Sequence, residues 1–168
     1  MAQLEIITIG HPTLASRALP VENINQEIVE LAKNMVETMH KAPGIGLAAP
    51  QVNVSRRLIT VDLSVGENQS DLIIMVNPEI IEAEGEQVGE EGCLSVPGIY
   101  EKVARPSRIL LKGYDLDGRE IRLEASNLLA RVFCHEIDHL DGKLFVDRLS
   151  PLKRRLIRSR LKKELDKS

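Results

Sequence analysis

Between Asn25 and His40 the apolar residues Ile28, Leu31, Ala32, Met35 and Met39 recur at spacings of three and four, the signature of a helix with one apolar face. The "KAPG" that follows stops the pattern, so an N-terminal amphipathic helix is expected over these residues. The period then changes. Runs rich in β-branched and aliphatic residues follow: "RLITVDL" from Arg57, "LIIMVNPEIIEAEG" from Leu72, "RILLKGYDL" from Arg108 and "REIRLEA" from Arg119. The last two are joined by Asp117-Gly118, a strong hairpin signal. A second helix is expected from Ser126 or Asn127 to Leu140, with a Ser or Asn N-cap and Gly142 as its left-handed stop. Ser150-Pro151 opens a third helix reaching nearly to the C-terminus. "GIGLAAPQ" (44–51) reads as a turn between helix and strand, and "EEGCLSVPG" (90–98) as a loop. There is no repeat, low-complexity run or linker, so the order helix, strands, helix, helix predicts an α+β fold with mainly antiparallel strands.

Composition narrows this picture. A chain of 168 residues, 43% hydrophobic and 28% charged, suits one domain spanning 1–168, and with 2% aromatics and no Trp its core must be aliphatic. No apolar run approaches the roughly 18 residues needed to cross a bilayer, and the N-terminus lacks the basic-then-apolar order of a secretory signal. A cytoplasmic protein that binds neither membrane nor DNA is the expectation. With only Cys93 and Cys134, far apart, a disulfide framework is not expected, and each cysteine reads as a ligand, a nucleophile or a small core residue. Charge is segregated: from Arg148 onward nine Lys and Arg stand against two acidic residues, a net +7, which leaves the body at −10.

The densest chemistry lies in "CHEIDHLDG" (134–142) on the second helix. At about 100° per residue, His135 and His139 lie about 40° apart on one face, so both imidazoles can reach one ion. Glu136 projects about 80° from the middle of the pair, which suits a general acid and base touching a water better than a third ligand. Cys134 lies about 120° away and reads as core packing. A catalytic ion needs a third protein ligand and an open position. Cys93, after Gly92, would alone read as a small buried hydrophobe, but beside two histidines it becomes the best candidate for that ligand. His11 and His40 stand in unrelated contexts. One thiolate and two imidazoles suit zinc, nickel or cobalt by softness.

"GIGLAAPQ", "EGCLSVP" and "HEIDH", in this order, closely resemble the three signature motifs of bacterial peptide deformylases, and the opening "IITIGHP" and the chain length extend the resemblance over essentially the whole chain. It implies antiparallel sheets wrapped around the histidine-bearing helix, and a hydrolase that removes the formyl group from the N-terminal formyl-methionine of new polypeptides, releasing formate. It also implies that Cys93, His135 and His139 hold the metal, Fe2+ by the family's pattern, with Glu136 as proton shuttle and the Gln51 amide and the Leu94 backbone N–H as oxyanion donors. Gly44, Ile45, Gly46, Gly92 and Leu128 would bind the peptide, with Ile45 and Leu128 lining the methionine pocket. The chain departs from some relatives at Pro50, at Cys134 and at Arg131, which stands beside that pocket.

Two other readings use the same residues. A zincin-like metallopeptidase shares His-Glu-x-x-His but takes its third ligand downstream, where this chain has no further His and only Glu164 as a glutamate. A noncatalytic ribosome- or RNA-associated protein would hold a structural metal with four protein ligands. In the tail (148–168), Leu152, Leu156, Ile157, Leu161 and Leu165 form an apolar set that should pack on the body or on a partner, leaving a basic surface suited to phosphate-rich RNA. The resemblance implies that such a helix docks near the ribosomal exit tunnel.

Overall fold

The structure, a computed structural model, describes residues 2–166, with side chains as far as Lys163. Helix α1 (Gln26–Lys41) opens on the Asn25 side chain, which accepts from the Ile28 N–H at 3.1 Å, and buries Ile28, Ala32, Met35 and Met39. Seven strands follow: β1 (Gly46–Ala48), β2 (Leu58–Val61), β3 (Ile73–Glu84), β4 (Gln87–Cys93), β5 (Val96–Arg105), β6 (Arg108–Tyr114) and β7 (Glu120–Ser126). Helices α2 (Asn127–Leu140) and α3 (Pro151–Asp166) complete the order. Five strands form one sheet in the order β1-β2-β3-β6-β7, and β4 and β5 pair as a separate hairpin. Every ladder is antiparallel, as the α+β reading requires.

The sheet lies between two helices. On β2, Ile59 and Val61 join the cluster around Phe133 and Ile137 of α2, whereas Leu58 joins Met35 and Met39 of α1. Both faces are covered, so "LITV" is buried at every position and shows no alternation. The β6–β7 hairpin has the expected turn. Asp115 Oδ1 accepts from the N–H groups of Asp117 and Arg119, and Gly118 adopts a φ of 82°.

Two segments expected to be irregular contain strands. Within 44–51, β1 pairs with β2 before a 3-10 turn at Ala49–Val52, and 90–98 falls in the β4–β5 hairpin, with Cys93 opposite Val96. The missing signal has a physical cause: the most deeply buried residue of β4 is Glu91, a carboxylate where an apolar residue would have marked the strand.

Helix α2 is buried from Ala130 through Leu140 and supplies the floor on which the hairpin rests. Its N-cap residue is Ser126, whose side chain makes no cap hydrogen bond. Gly142 ends it at a φ of 78°, with its N–H on the His139 carbonyl. On α3, Ile157 and Leu161 pack with Val96, Ile99, Val103 and Phe145, whereas Leu152 and Leu156 are 63% and 60% exposed. The expected apolar set is therefore split into two strips about 140° apart, of which one meets the body. The side chain of Leu165, also assigned to that set, lies outside the described residues.

Gly142 is needed twice over, because a β-carbon there would also stand 2.9 Å from the Ala15 carbonyl oxygen. Gly142→Ala should lower the unfolding free energy by about 1 kcal/mol or more, read as a shifted urea midpoint. An unshifted midpoint would show that this turn relaxes without cost.

Candidate metal centre

The two histidines of α2 meet as their spacing predicts. Their Nε2 atoms are 3.2 Å apart, and Cys93 Sγ, brought in by the end of β4, lies 3.3 Å from His139 Nε2. All three donor atoms fall within 4.8 Å of one another. A tetrahedral ion with bonds of about 2.0–2.1 Å to nitrogen and about 2.3 Å to sulfur separates its ligands by roughly 3.3 to 3.6 Å, so this triangle fits one cation with little movement. The third donor is upstream on a strand, not downstream as in a zincin, and no fourth protein donor joins the set among the described residues.

His135 is held from behind, whereas Nδ1 of His139 meets no hydrogen-bond partner among the described residues. His135 Nδ1 donates to Glu91 Oε1 at 2.9 Å, which turns Nε2 toward the centre. Glu91 also accepts two bonds from Arg105, at 2.8 and 2.9 Å, and one from Arg131 at 2.6 Å. Burial pushes the Glu91 carboxyl up, but the bonds from Arg105 and His135 outweigh it and hold the group down at about 2. Arg105 reaches on to Asp138 at 2.6 Å, and Arg148 grips the same aspartate at 2.7 and 3.0 Å. Burial holds His139 well below the usual imidazole range, in the neutral form a cation accepts.

Glu136 faces the same space. It is 4% exposed, and burial raises its carboxyl to about 7. Gly46 of β1 makes room for it: a β-carbon at 46 would stand 2.5 Å from Glu136 Oε2. Gln51 is fixed at both ends of its amide, with Oε1 accepting from the Ala48 N–H at 3.0 Å and Nε2 donating to Ser95 Oγ at 3.2 Å and toward Cys93 Sγ at 3.6 Å. The arrangement combines a cation site, a group able to hold one proton near neutral pH and an oriented N–H donor.

These residues border one cavity of about 480 Å³. Gly44, Ile45, Gly46, Gln51, Gly92, Cys93, Leu94, Leu128, His135 and Glu136 all line it, and His139 lies beneath with no exposure. Leu128 is at the rim, 51% exposed. Arg131 belongs to the wall and is bonded to Glu91. Cys134 packs in the main core, where burial pushes its thiol up, in keeping with a packing role. His11 accepts from the Thr13 N–H and His40 pairs with Asp62, and neither lines this cavity. Sequence reasoning missed Glu91, Arg105 and Ser95. Glu91 differs from the neighbouring Glu90 only in facing inward, which becomes visible once β4 is known to be a strand.

Comparison with known proteins identifies relatives over nearly the whole chain. The polypeptide deformylase family matches residues 3–155. A peptide deformylase of Thermodesulfovibrio yellowstonii is 51% identical over 162 residues, covering 96% of this chain and 98% of the relative. The crystal structure of a peptide deformylase from Legionella pneumophila superposes with a TM-score of 0.91 at 42% identity, covering 98% of this chain and 96% of the other. A peptide deformylase from Ehrlichia chaffeensis, solved in complex with actinonin, gives 0.89 at 36% identity, with 98% of each chain covered.

The raised Glu136 carboxyl makes a stability prediction. The native state holds a proton up to about pH 7 that the unfolded chain releases near 4.5, so the native state binds more protons and stability falls as pH rises between these values. In metal-free protein, Glu136→Gln should therefore be more stable than the parent at about pH 8, by something on the order of 3 kcal/mol, with the gap closing at about pH 4. Urea titrations at both pH values check this, and equal midpoints at the higher pH would contradict the assignment.

Proposed function

The chain belongs to the polypeptide deformylase family, and on that premise we propose how its own residues carry out the family's reaction. That reaction is metal-dependent hydrolysis of the formyl group from the N-formylmethionine of a nascent polypeptide, releasing formate. Cys93, His135 and His139 would hold the cation. When bound, it supplies Lewis acidity, lowering the pKa of an attacking water from 15.7 toward about 7. Glu136, buried and poised near neutrality, accepts the proton from that water and returns it to the departing amine. The Gln51 amide and the Leu94 N–H donate to the oxyanion of the tetrahedral intermediate, where one such donor is worth about 3–4 kcal/mol.

The sheet supports a place for the peptide. β1 is an edge strand, paired only with β2, and the Gly44–Gly46 stretch and Gly92 border a cavity into which an extended chain can add as a further strand. Ile45 and Leu128 line the pocket for the methionine side chain. The small formyl group reaches the proton-holding carboxyl because position 46 carries no side chain. The observation that carries this reading is the meeting, in one cavity, of the three-donor triangle with a carboxyl raised to about 7. Fe2+ is our choice of ion, with zinc, nickel and cobalt also compatible with these donors. A single catalytic domain over 1–168, with 148–168 as a basic helical extension, and a cytoplasmic location complete the proposal. No helix among the described residues is long and apolar enough to cross a membrane.

Glu136→Gln should keep the metal while losing most formate release from a formyl-Met peptide, whereas Cys93→Ala should lose both together. Metal content and formate are measured side by side on protein purified without oxygen. Near-normal turnover in the Glu136 variant would remove its role, and zinc as the principal ion would replace iron.

The basic face of α3 supports a second element of the proposal, docking on ribosomal RNA near the exit tunnel. Lys153 is paired with Glu101 and Arg158 with Asp147, but Arg155, Lys162 and Lys163 are exposed on the outer surface. Removing the helix would also strip Ile157 and Leu161 from the body, so charge removal is the cleaner test. A variant with Arg155, Lys162 and Lys163 replaced by Gln should cosediment less with ribosomes at low salt while cleaving a short formyl-Met peptide normally. Unchanged cosedimentation would reject the docking role.

A further inference from the structure

The His40–Asp62 pair lies outside the cavity and no step above uses it, yet it stands behind the Gly44–Gly46 stretch that borders the peptide's place. His40 is the penultimate residue of α1, and Asp62 directly follows β2. The Asp62 carboxylate is 1% exposed, and both of its oxygens are doubly engaged. Oδ1 accepts from the N–H and the hydroxyl of Ser64 at 2.9 and 2.7 Å, and Oδ2 accepts from the Gly66 N–H at 2.9 Å and from His40 Nε2 at 2.7 Å. Gly66 lies close against the His40 ring, where a β-carbon would stand 3.3 Å from it. Through its backbone the same aspartate reaches the cavity lining. Its N–H donates to the Ile45 carbonyl at 2.9 Å, one residue beyond the Gly46–Val61 pair of the β1–β2 ladder. Gly44 is tied to the end of α1 in turn, its N–H donating to the Met39 carbonyl at 2.8 Å. The chain from Lys41 to Ile45 is therefore a short loop closed at both ends on one residue, through the Asp62 side chain to His40 and through its backbone to Ile45.

Resting on the deformylase reading, we propose that His40 is a positioning residue for peptide binding, which through Asp62 holds the Gly44–Gly46 edge in the conformation to which the formyl peptide adds as a strand. An extended peptide gains affinity from backbone hydrogen bonds, and it gains less from an edge that must first be ordered. The groups of the reaction stand on other supports: Cys93 on β4, His135, Glu136 and His139 on α2, and Gln51 through Ala48 and Ser95. Loosening the His40–Asp62 clasp therefore weakens the hold on the peptide equally in the ground state and in the transition state, a loss of uniform binding that raises KM and leaves kcat in place.

The test measures kcat and KM for a formyl-Met tripeptide, with metal content, in wild-type protein and in His40→Phe, whose ring fills similar space without a donor to Asp62. KM should rise by about fivefold, within the worth of one hydrogen bond to a charged group, while kcat and metal content hold. KM does not depend on how much of a preparation is active, so a general loss of folded protein does not imitate the effect. His40→Gln, which can donate to Asp62, should restore most of the wild-type KM. As a control for stability alone, Asn77→Ala removes two bonds of 2.9 Å to the Val21 N–H and carbonyl, outside the cavity lining, and should leave KM unchanged. An unchanged KM in folded His40→Phe would overturn the proposal, and so would a loss confined to kcat or an equal rise of KM in Asn77→Ala. Should His40→Phe not fold, His40→Asn, too short to reach Asp62, takes its place; failure of both to fold would reduce the pair to a structural role and overturn the proposal as well. Absence of formate release by wild-type protein would instead remove the deformylase reading itself.

Discussion

The structure turns on one carboxylate, that of Glu91. It takes a bidentate grip from Arg105, a third bond from Arg131 and a fourth from His135, joining the β4–β5 hairpin to the helix that carries two of the three metal donors. A buried ion of this kind adds little net stability when fully paired, but deleting a single partner leaves an uncompensated charge in the interior, at a cost of about 3–5 kcal/mol. The network therefore works less as glue than as a locating device. The hairpin can seat on α2 in only one register without stranding a charge, and that register places Cys93 against His139. Asp138 extends the same logic along the helix, tying Arg105 and Arg148 to a position between the two histidines.

Much of this was legible in the chain. The α1 face, the β6–β7 turn, the limits of α2 and the pairing of His135 with His139 all follow from periodicity and turn chemistry. The third ligand was readable as a candidate, because a cysteine with no disulfide partner acquires meaning beside two histidines. What was not legible has a common cause. β4 buries a charge where a strand usually buries an aliphatic side chain, so its period-two signal is absent and Glu91 looks like any surface glutamate. β1 is three residues long, too short to show a period at all. The apolar residues of α3 share one helical spacing, and only the position of the body shows that Ile157 and Leu161 face inward while Leu152 and Leu156 do not.

The electrostatics of the cavity are similarly divided. Glu91 and Glu136 both reach into the region around His135, yet one is held down at about 2 and the other raised to about 7. Two guanidinium groups and an imidazole surround the first; no acceptor or donor among the described residues meets Oε1 of the second. The fold thus holds one carboxylate in its charged form against His135 and leaves the other able to keep a proton near neutral pH, from the same side-chain chemistry in two surroundings.

The separation of the metal donors along the chain has a consequence for how the protein comes to exist. Cys93 and His139 are 46 positions apart, on elements with separate pairing partners, so the donor triangle does not form until the hairpin has closed onto α2. A ribosome must have released well over a hundred residues before the last histidine can swing into place, and until then no ion can meet all three donors. A cation held by all three donors would then act as a clasp, stabilising the closed form by a free energy that rises with the logarithm of its concentration over its dissociation constant.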